Sequence, residues 1–280
     1  MLVELLPGVA LVGYLLATVM VLSRLVHPQG PNYKLMFSAA LIAIVCHMLF
    51  LADSIFADSG QNFSLLNVIS LVCWLISTAI TVTALRTPTV LLLPIVYGFS
   101  ALTQLAVLAL PTEVQMQHFE HNPILLMHII VAFVAYTLLI VATLHSLQVH
   151  YISKKLKQKD FMLGNQFLPP LLQVEQLQFR VLLLGTLLLG LTLFSGAAFT
   201  DNWLAAHNLH KNILSSIAFL VFVVLLWGHA QLGWRGRLAI ALTFTGSTLL
   251  TLAYFGSRFV REVILERLVE HFFFSYGHLG

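Results

Sequence analysis

The sequence predicts an all-α polytopic membrane protein, with about eight transmembrane helices and a short amphipathic C-terminal helix. Three observations carry this reading. Hydrophobic residues make up 59% of the chain and charged residues 9%, far outside the soluble norm. The apolar residues gather into runs of roughly 20, long enough to cross hydrocarbon. No run alternates like a barrel strand, and lipid offers no partner for free backbone groups, so the runs must be helices.

Taken in order, the spans are Leu2–Leu22, Lys34–Leu51, Phe63–Leu85, Thr89–Leu110, Ile124–Gln148, Val181–Phe199, Ile213–Trp227 and Leu238–Phe255. Residues 1–280 read as a single transmembrane domain, with no room for a separate soluble one. The first run is apolar from its start and lacks a basic n-region and a cleavage site. It reads as a retained span and not as a removed signal peptide. The fifth connector is the longest, from about His150 to Arg180, and Pro169-Pro170 marks a turn near its middle. Beyond Arg258, Phe259, Val263, Ile264 and Leu268 share one helical face, and Arg261, Glu262, Glu266 and Glu270 line the other. That pattern predicts a helix lying on the membrane surface.

Charge sets the orientation. Arg24, Lys34, Arg86, Lys154, Lys155, Lys157, Lys159, Arg235 and Arg237 all fall in odd connectors. Even connectors carry Asp53, Asp58, Glu113, Glu120 and Asp201 against Lys211 alone. The positive-inside rule puts the odd connectors in the cytoplasm and both termini outside.

Histidines are the candidate functional residues, because an ionisable group inside a membrane is costly and neutral imidazole ligates metals and haem iron. His47 in span two and His128 in span five fall at similar depth near the outer side, where two imidazoles could share one iron. The alternative is a satisfied polar group between helices. His229 ends span seven on the inner side. His145 and His150, at the inner end of span five, read as side chains snorkelling to the interface. His118 with His121, and His207 with His210, have i, i+3 spacing. Each pair could bind a divalent ion or sit in an ordinary solvated loop. His271 and His278 follow in the tail. His27 receives no role.

Other chemistry is unsupported. Cys46 and Cys73 lack CxxC spacing and read as small buried hydrophobes. Ser195-Gly196 has no nucleophile-elbow context, and no GxGxxG or P-loop is present. No basic run is interleaved with aromatics, which argues against nucleic acid. The scarcity of carboxylates within the spans weakens a proton-coupled carrier.

Several segments resemble the cytochrome c assembly proteins of the CcsA/CcmC/HemX superfamily. The run from Pro123 through His128 to Tyr136 is similar to the family's span with an outward-side haem histidine. Leu168-Pro169-Pro170-Leu171 through Phe179-Arg180 resembles the connector that follows. Trp227-Gly228-His229 and Gly233-Trp234-Arg235-Gly236 resemble the segment whose histidine is a transmembrane haem ligand. Tyr254-Phe255-Gly256 resembles a further family motif, and Ser64-Leu65-Leu66-Asn67 through Trp74 fits the HemX-like branch. Two segments depart from the pattern. The stretch Asp201 to Lys211 holds one tryptophan, Trp203, where the family has a tryptophan-rich haem-handling loop. The tail has Phe274-Ser275-Tyr276-Gly277, with phenylalanine in place of the family's histidine; His271 or His278 could substitute, although neither is in register.

The resemblance implies a bacterial inner-membrane protein that holds or handles haem without catalysing a covalent change. Its implied ligands are His128, His229 and His47, with His271 and Trp203 as further cofactor contacts. Trp203 and Phe199 could equally belong to an interfacial aromatic belt. Implied partners are lipid, haem and other membrane proteins of cytochrome or haem biogenesis. Two rival classes remain: a small-solute or divalent-ion transporter using the outer histidine pairs, and a scaffold that regulates a membrane partner.

Overall fold

The computed structural model describes residues 2–23, 32–57, 60–87, 89–110, 116–117, 123–158, 169–199 and 206–256. Eight helices are long and apolar enough to cross a membrane. They are α1 (Leu2–Leu22), α2 (Tyr33–Ile55), α3 (Leu65–Ala84), α4 (Leu93–Ala109), α5 (Pro123–Lys157), α6 (Leu171–Phe199), α7 (Ala206–Leu232) and α8 (Arg237–Thr251). A 3₁₀ turn, Val90–Leu92, leads into α4, and a π-type turn, Leu252–Gly256, extends α8.

The helices form two groups of four. In the first, α1 packs on α2 and α4, and α3 packs on α2 and α4. In the second, α5 pairs closely with α6, α7 with α8, and α5–α8 and α6–α7 contacts close the group. The α3–α5 contact joins the two groups. Small residues allow close approach where side-chain attraction in lipid is weak. A Cβ added at Gly13 would lie 2.9 Å from the Cβ of Ala43, so α1 and α2 touch nearly backbone to backbone. Leu15, Leu41, Phe99, Leu187 and Phe194 are exposed on the outside of the bundle, where lipid replaces a protein partner.

Sequence and structure agree on the number and order of spans. They differ at the ends. α5 has 35 residues and α6 has 29, so both run on into the stretch expected to be a connector. The α6 helix starts directly after Pro169-Pro170, and the Pro170 carbonyl accepts the Gln173 and Val174 amides. The prolines thus open a helix, where a missing N–H costs nothing. A small antiparallel sheet was not anticipated. It joins Phe56–Ala57 (β1), Gly60–Asn62 (β2) and Met116–Gln117 (β3). Its strands come from connectors two and four and mark what we call the sheet end of the bundle. The opposite, basic end carries Lys154, Lys155 and Lys157 in the last turn of α5. The amphipathic segment expected after Arg258 lies outside the described residues.

Candidate functional site

The 35-residue helix α5 carries one candidate near its sheet end. His128 is half-buried, and its Nδ1 lies 2.8 Å from Ser195 Oγ on α6. The Ser195 hydroxyl donates its only proton to the Thr192 carbonyl at 3.0 Å. It must therefore accept from His128, which places the imidazole proton on Nδ1 and the lone pair on Nε2. Aromatic residues pack one to two turns along the same helix. Phe133 stacks on Phe63 and meets Tyr254 edge-on. Tyr136 hydroxyl bonds Thr251 at 2.9 Å and its ring meets Phe255. The π-type turn turns Tyr254 and Phe255 towards α5; such turns often mark functional positions. Lys211 Nζ sits 5.5 Å over the Tyr254 ring.

The second candidate lies at the basic end. α7 stops at Leu232 because Gly233 takes φ +66°, and Gly236, at φ +62°, starts α8. Between them the chain folds back. The Trp234 amide donates to the Gly228 carbonyl at 3.1 Å, and the Trp234 indole packs against Gly228. A Cβ at Gly228 would sit 2.2 Å from Trp234 Cε3. This fold aims the Trp234 carbonyl at His229 Nδ1, 2.9 Å away. A carbonyl only accepts, so His229 is also held as the Nδ1–H tautomer with its lone pair on Nε2. Phe179 stacks on the imidazole, centroid to centroid 3.5 Å and nearly parallel. Arg235 reaches Glu175 at 3.8 Å on the same end.

His47 is different. It is fully buried, with Tyr14 hydroxyl 3.2 Å from Nδ1 and Ser70 Oγ 2.8 Å from Nε2. Both ring nitrogens are engaged, so His47 presents no open lone pair to an iron. The structure also ties His47 to α1 and α3 while His128 bonds α6. The snorkelling expected of His145 is not found: it is fully buried. Its Nδ1 donates to Gln148 Oε1 at 3.3 Å, and Nε2 is buried without a partner. The reason is the length of α5 and α6, which carry their packed interface past the expected interface depth. His150 is exposed, as expected.

His118, His121, Trp203, His271 and His278 lie outside the described residues, as do the side chains of Phe199 and His207. His210 is exposed. Among the described residues no three His, Cys, Asp or Glu side chains gather as a metal site.

The chain matches the family described as cytochrome C assembly protein over residues 35–265. The chain belongs to this family. It is 41% identical to the inner membrane protein YpjD of Escherichia coli K12 over 257 residues, covering 91% of this chain and 97% of that one. A 28.8 kDa uncharacterized protein from the nifR3-like 5′ region of Azospirillum brasilense is 36% identical over 141 residues, half of each chain. No solved structure matches. Family membership thus agrees with the resemblance carried by the short motifs, and the geometry accounts for two of them. Trp227-Gly228-His229 with Gly233-Trp234-Arg235-Gly236 builds the clamp on His229, and Tyr254-Phe255-Gly256 packs beside the His128 helix.

Three contributors to these sites, and the burial of His145, are not legible in the sequence. Ser195 carries no motif that marks it, and pairing it with His128 needs the α5–α6 register. Phe179 and the Trp234 carbonyl touch His229 through contacts that no spacing rule reveals. His145 looked interfacial because the span appeared to end at Gln148.

Proposed function

We propose that this member of the cytochrome c assembly family is an inner-membrane protein that holds or passes haem. His128 at the sheet end and His229 at the basic end would hold the haem iron. The observation that carries the reading is shared by both residues: each imidazole donates through Nδ1, to Ser195 Oγ or to the Trp234 carbonyl, and among the described residues none bonds its Nε2. Metal-ligating histidines are ordinarily oriented in this way, through the second nitrogen. Bound haem would supply the iron chemistry. The chain's own part is to orient the imidazoles and exclude water. At the sheet end, Tyr254 and Phe133 offer an apolar aromatic wall, and Lys211 brings a positive charge suited to a propionate. At the basic end, Phe179 covers one face of His229.

The orientation that fits the charges puts the basic end in the cytoplasm and both termini in the periplasm. His128 then serves the periplasmic half and His229 the cytoplasmic half. Lipid surrounds the bundle, and other membrane proteins of haem or cytochrome biogenesis are the natural donors or acceptors. This reading leaves His47 out of the ligand set.

Titrating purified protein with haemin, followed by absorbance, tests the proposal. Saturable binding that weakens in His128→Ala and in His229→Ala supports it. Binding that neither substitution alters would overturn the ligand assignment.

A further inference from the structure

The α7–α8 turn carries a charge pair that ligation by His229 does not use. Glu175 and Phe179 are four residues apart on α6, so they share a helical face. That face meets the turn region at two points. Phe179 stacks on the His229 ring, and Glu175 Oε1 lies 3.8 Å from Arg235 Nε. The backbone around Arg235 holds it in place. It follows Trp234, whose amide bonds the Gly228 carbonyl and whose carbonyl bonds His229 Nδ1. Gly233 and Gly236, both at positive φ, fix the turn on either side. Arg235 is thus tethered beside the group that anchors the imidazole.

The pair is weak by its geometry. Its 3.8 Å separation exceeds the roughly 2.7–3.2 Å of an N–H···O bond. The Arg235 side chain is 60% exposed, against 14% for Glu175. A contact of that length to a mostly exposed arginine contributes little and is easily exchanged. Arg235 makes no hydrogen bond to another described residue, so the fork of five guanidinium N–H donors is left for a partner with better geometry. A second carboxylate could not take Arg235 without meeting Glu175, because like charges repel at this range.

We propose that Arg235 anchors a carboxylate of the ligand held by His229, and that Glu175 competes with that carboxylate for the guanidinium. This rests on His229 as a haem ligand. It adds that the basic site takes a tetrapyrrole with a free acid group, and that the chain carries its own competitor for that group. A porphyrin presents its ring to an imidazole and its acid groups at its edge. A cation tethered beside the imidazole is therefore where the acid meets the chain. A bidentate guanidinium–carboxylate pair is stronger than the 3.8 Å contact it replaces. Arg180 and Arg237, exposed at the same end, add to the field that draws an anion in. Glu175 opposes that field, so the site releases its ligand more readily than Arg235 alone would allow. Competition and simple support differ in sign. If the ion pair only braces the turn, losing either partner loosens His229 and weakens binding. Under competition, Glu175→Gln frees Arg235 and tightens binding, whereas Arg235→Gln weakens it.

Titration of the full-length protein in detergent provides the test, with haemin and with haemin dimethyl ester, which has no free acid group. His128→Ala is the background, so that the basic site is read alone. Glu175→Gln should tighten haemin binding about 3-fold, and Arg235→Gln should weaken it roughly 10-fold. Arg235→Lys keeps the charge without the fork and should fall between the background and Arg235→Gln. The dimethyl ester should bind all these proteins alike. If Arg235→Gln does not fold, Arg235→Lys carries the comparison. Weaker haemin binding in both Glu175→Gln and Arg235→Gln overturns the proposal, and so does a dimethyl ester that follows the same order as haemin. Haemin binding that neither substitution moves overturns it as well, while His229 remains a ligand. If adding His229→Ala to the background leaves haemin binding unchanged, the ligand assignment fails and the proposal with it.

Discussion

Replacing Gly228 with alanine probes the clamp on His229 most directly. The new Cβ would lie 2.2 Å, 2.4 Å and 2.7 Å from three atoms of the Trp234 ring. Ordinary carbon contacts are roughly 3.5–4.0 Å, so the indole has to retreat by more than 1 Å. Overpacking of this kind costs about 1–3 kcal/mol. The retreat also carries away the Trp234 carbonyl, and losing its bond to His229 adds about 1 kcal/mol. A total of about 2–4 kcal/mol should lower the midpoint of thermal unfolding in detergent by roughly 5 °C or more. Gly98→Ala is the control: its Cβ meets nothing within 4 Å, and alanine is the better helix former by about 1 kcal/mol. Its midpoint should hold or rise. On the haem-binding proposal, Gly228→Ala should also weaken haem at the basic site, because His229 loses its fixed tautomer. A Gly228→Ala protein with a wild-type midpoint would refute the packing argument.

Other substitutions separate the histidines. Ser195→Ala should weaken haemin binding at the sheet end about 10-fold or more by releasing the His128 tautomer, while His229→Ala leaves that site intact; a titration of each variant checks this. His47→Ala should leave haem content unchanged yet destabilise the fold by about 2 kcal/mol or more, since Tyr14 and Ser70 both lose a buried partner; a haem loss like that of His128→Ala would return His47 to the ligand set. Reporter fusions after Lys159 should read cytoplasmic and fusions after Gly280 periplasmic, and the reverse result would invert the proposed orientation. Deleting residues 262–280 should leave the protein inserted in the membrane, with any loss confined to haem retention.

The eight spans were legible because lipid forces a simple pattern, long apolar runs with charges between them. α1 occupies the predicted Leu2–Leu22. The ends were less legible where two helices keep each other company beyond the membrane. α5 and α6 shield one another there, so Val149, Ile152 and Val174 form a small core of their own, and hydropathy alone cannot announce it. His128 and His229 were picked out as histidines within spans and by their neighbouring motifs. Their tautomers were not readable, since Ser195 is 67 residues from His128 and the Trp234 contact depends on a backbone carbonyl. Matched depth could not say which helices His47 and His128 face: His47 bonds Tyr14 and Ser70, and His128 bonds Ser195. Depth is one coordinate, and it does not say which helices a side chain faces.

If His128 and His229 hold haem iron, both must leave their mark on the protein's absorption spectrum. The most direct measurement is the absorption spectrum of the protein purified from haem-replete membranes, wild type beside His128→Ala, His229→Ala and the double variant. Ligation by both residues predicts a Soret band in wild type, a reduced or spin-shifted band in each single variant, and none in the double variant, with all four proteins accumulating normally. Wild-type protein without a Soret band, or a double variant with an unchanged one, would contradict it.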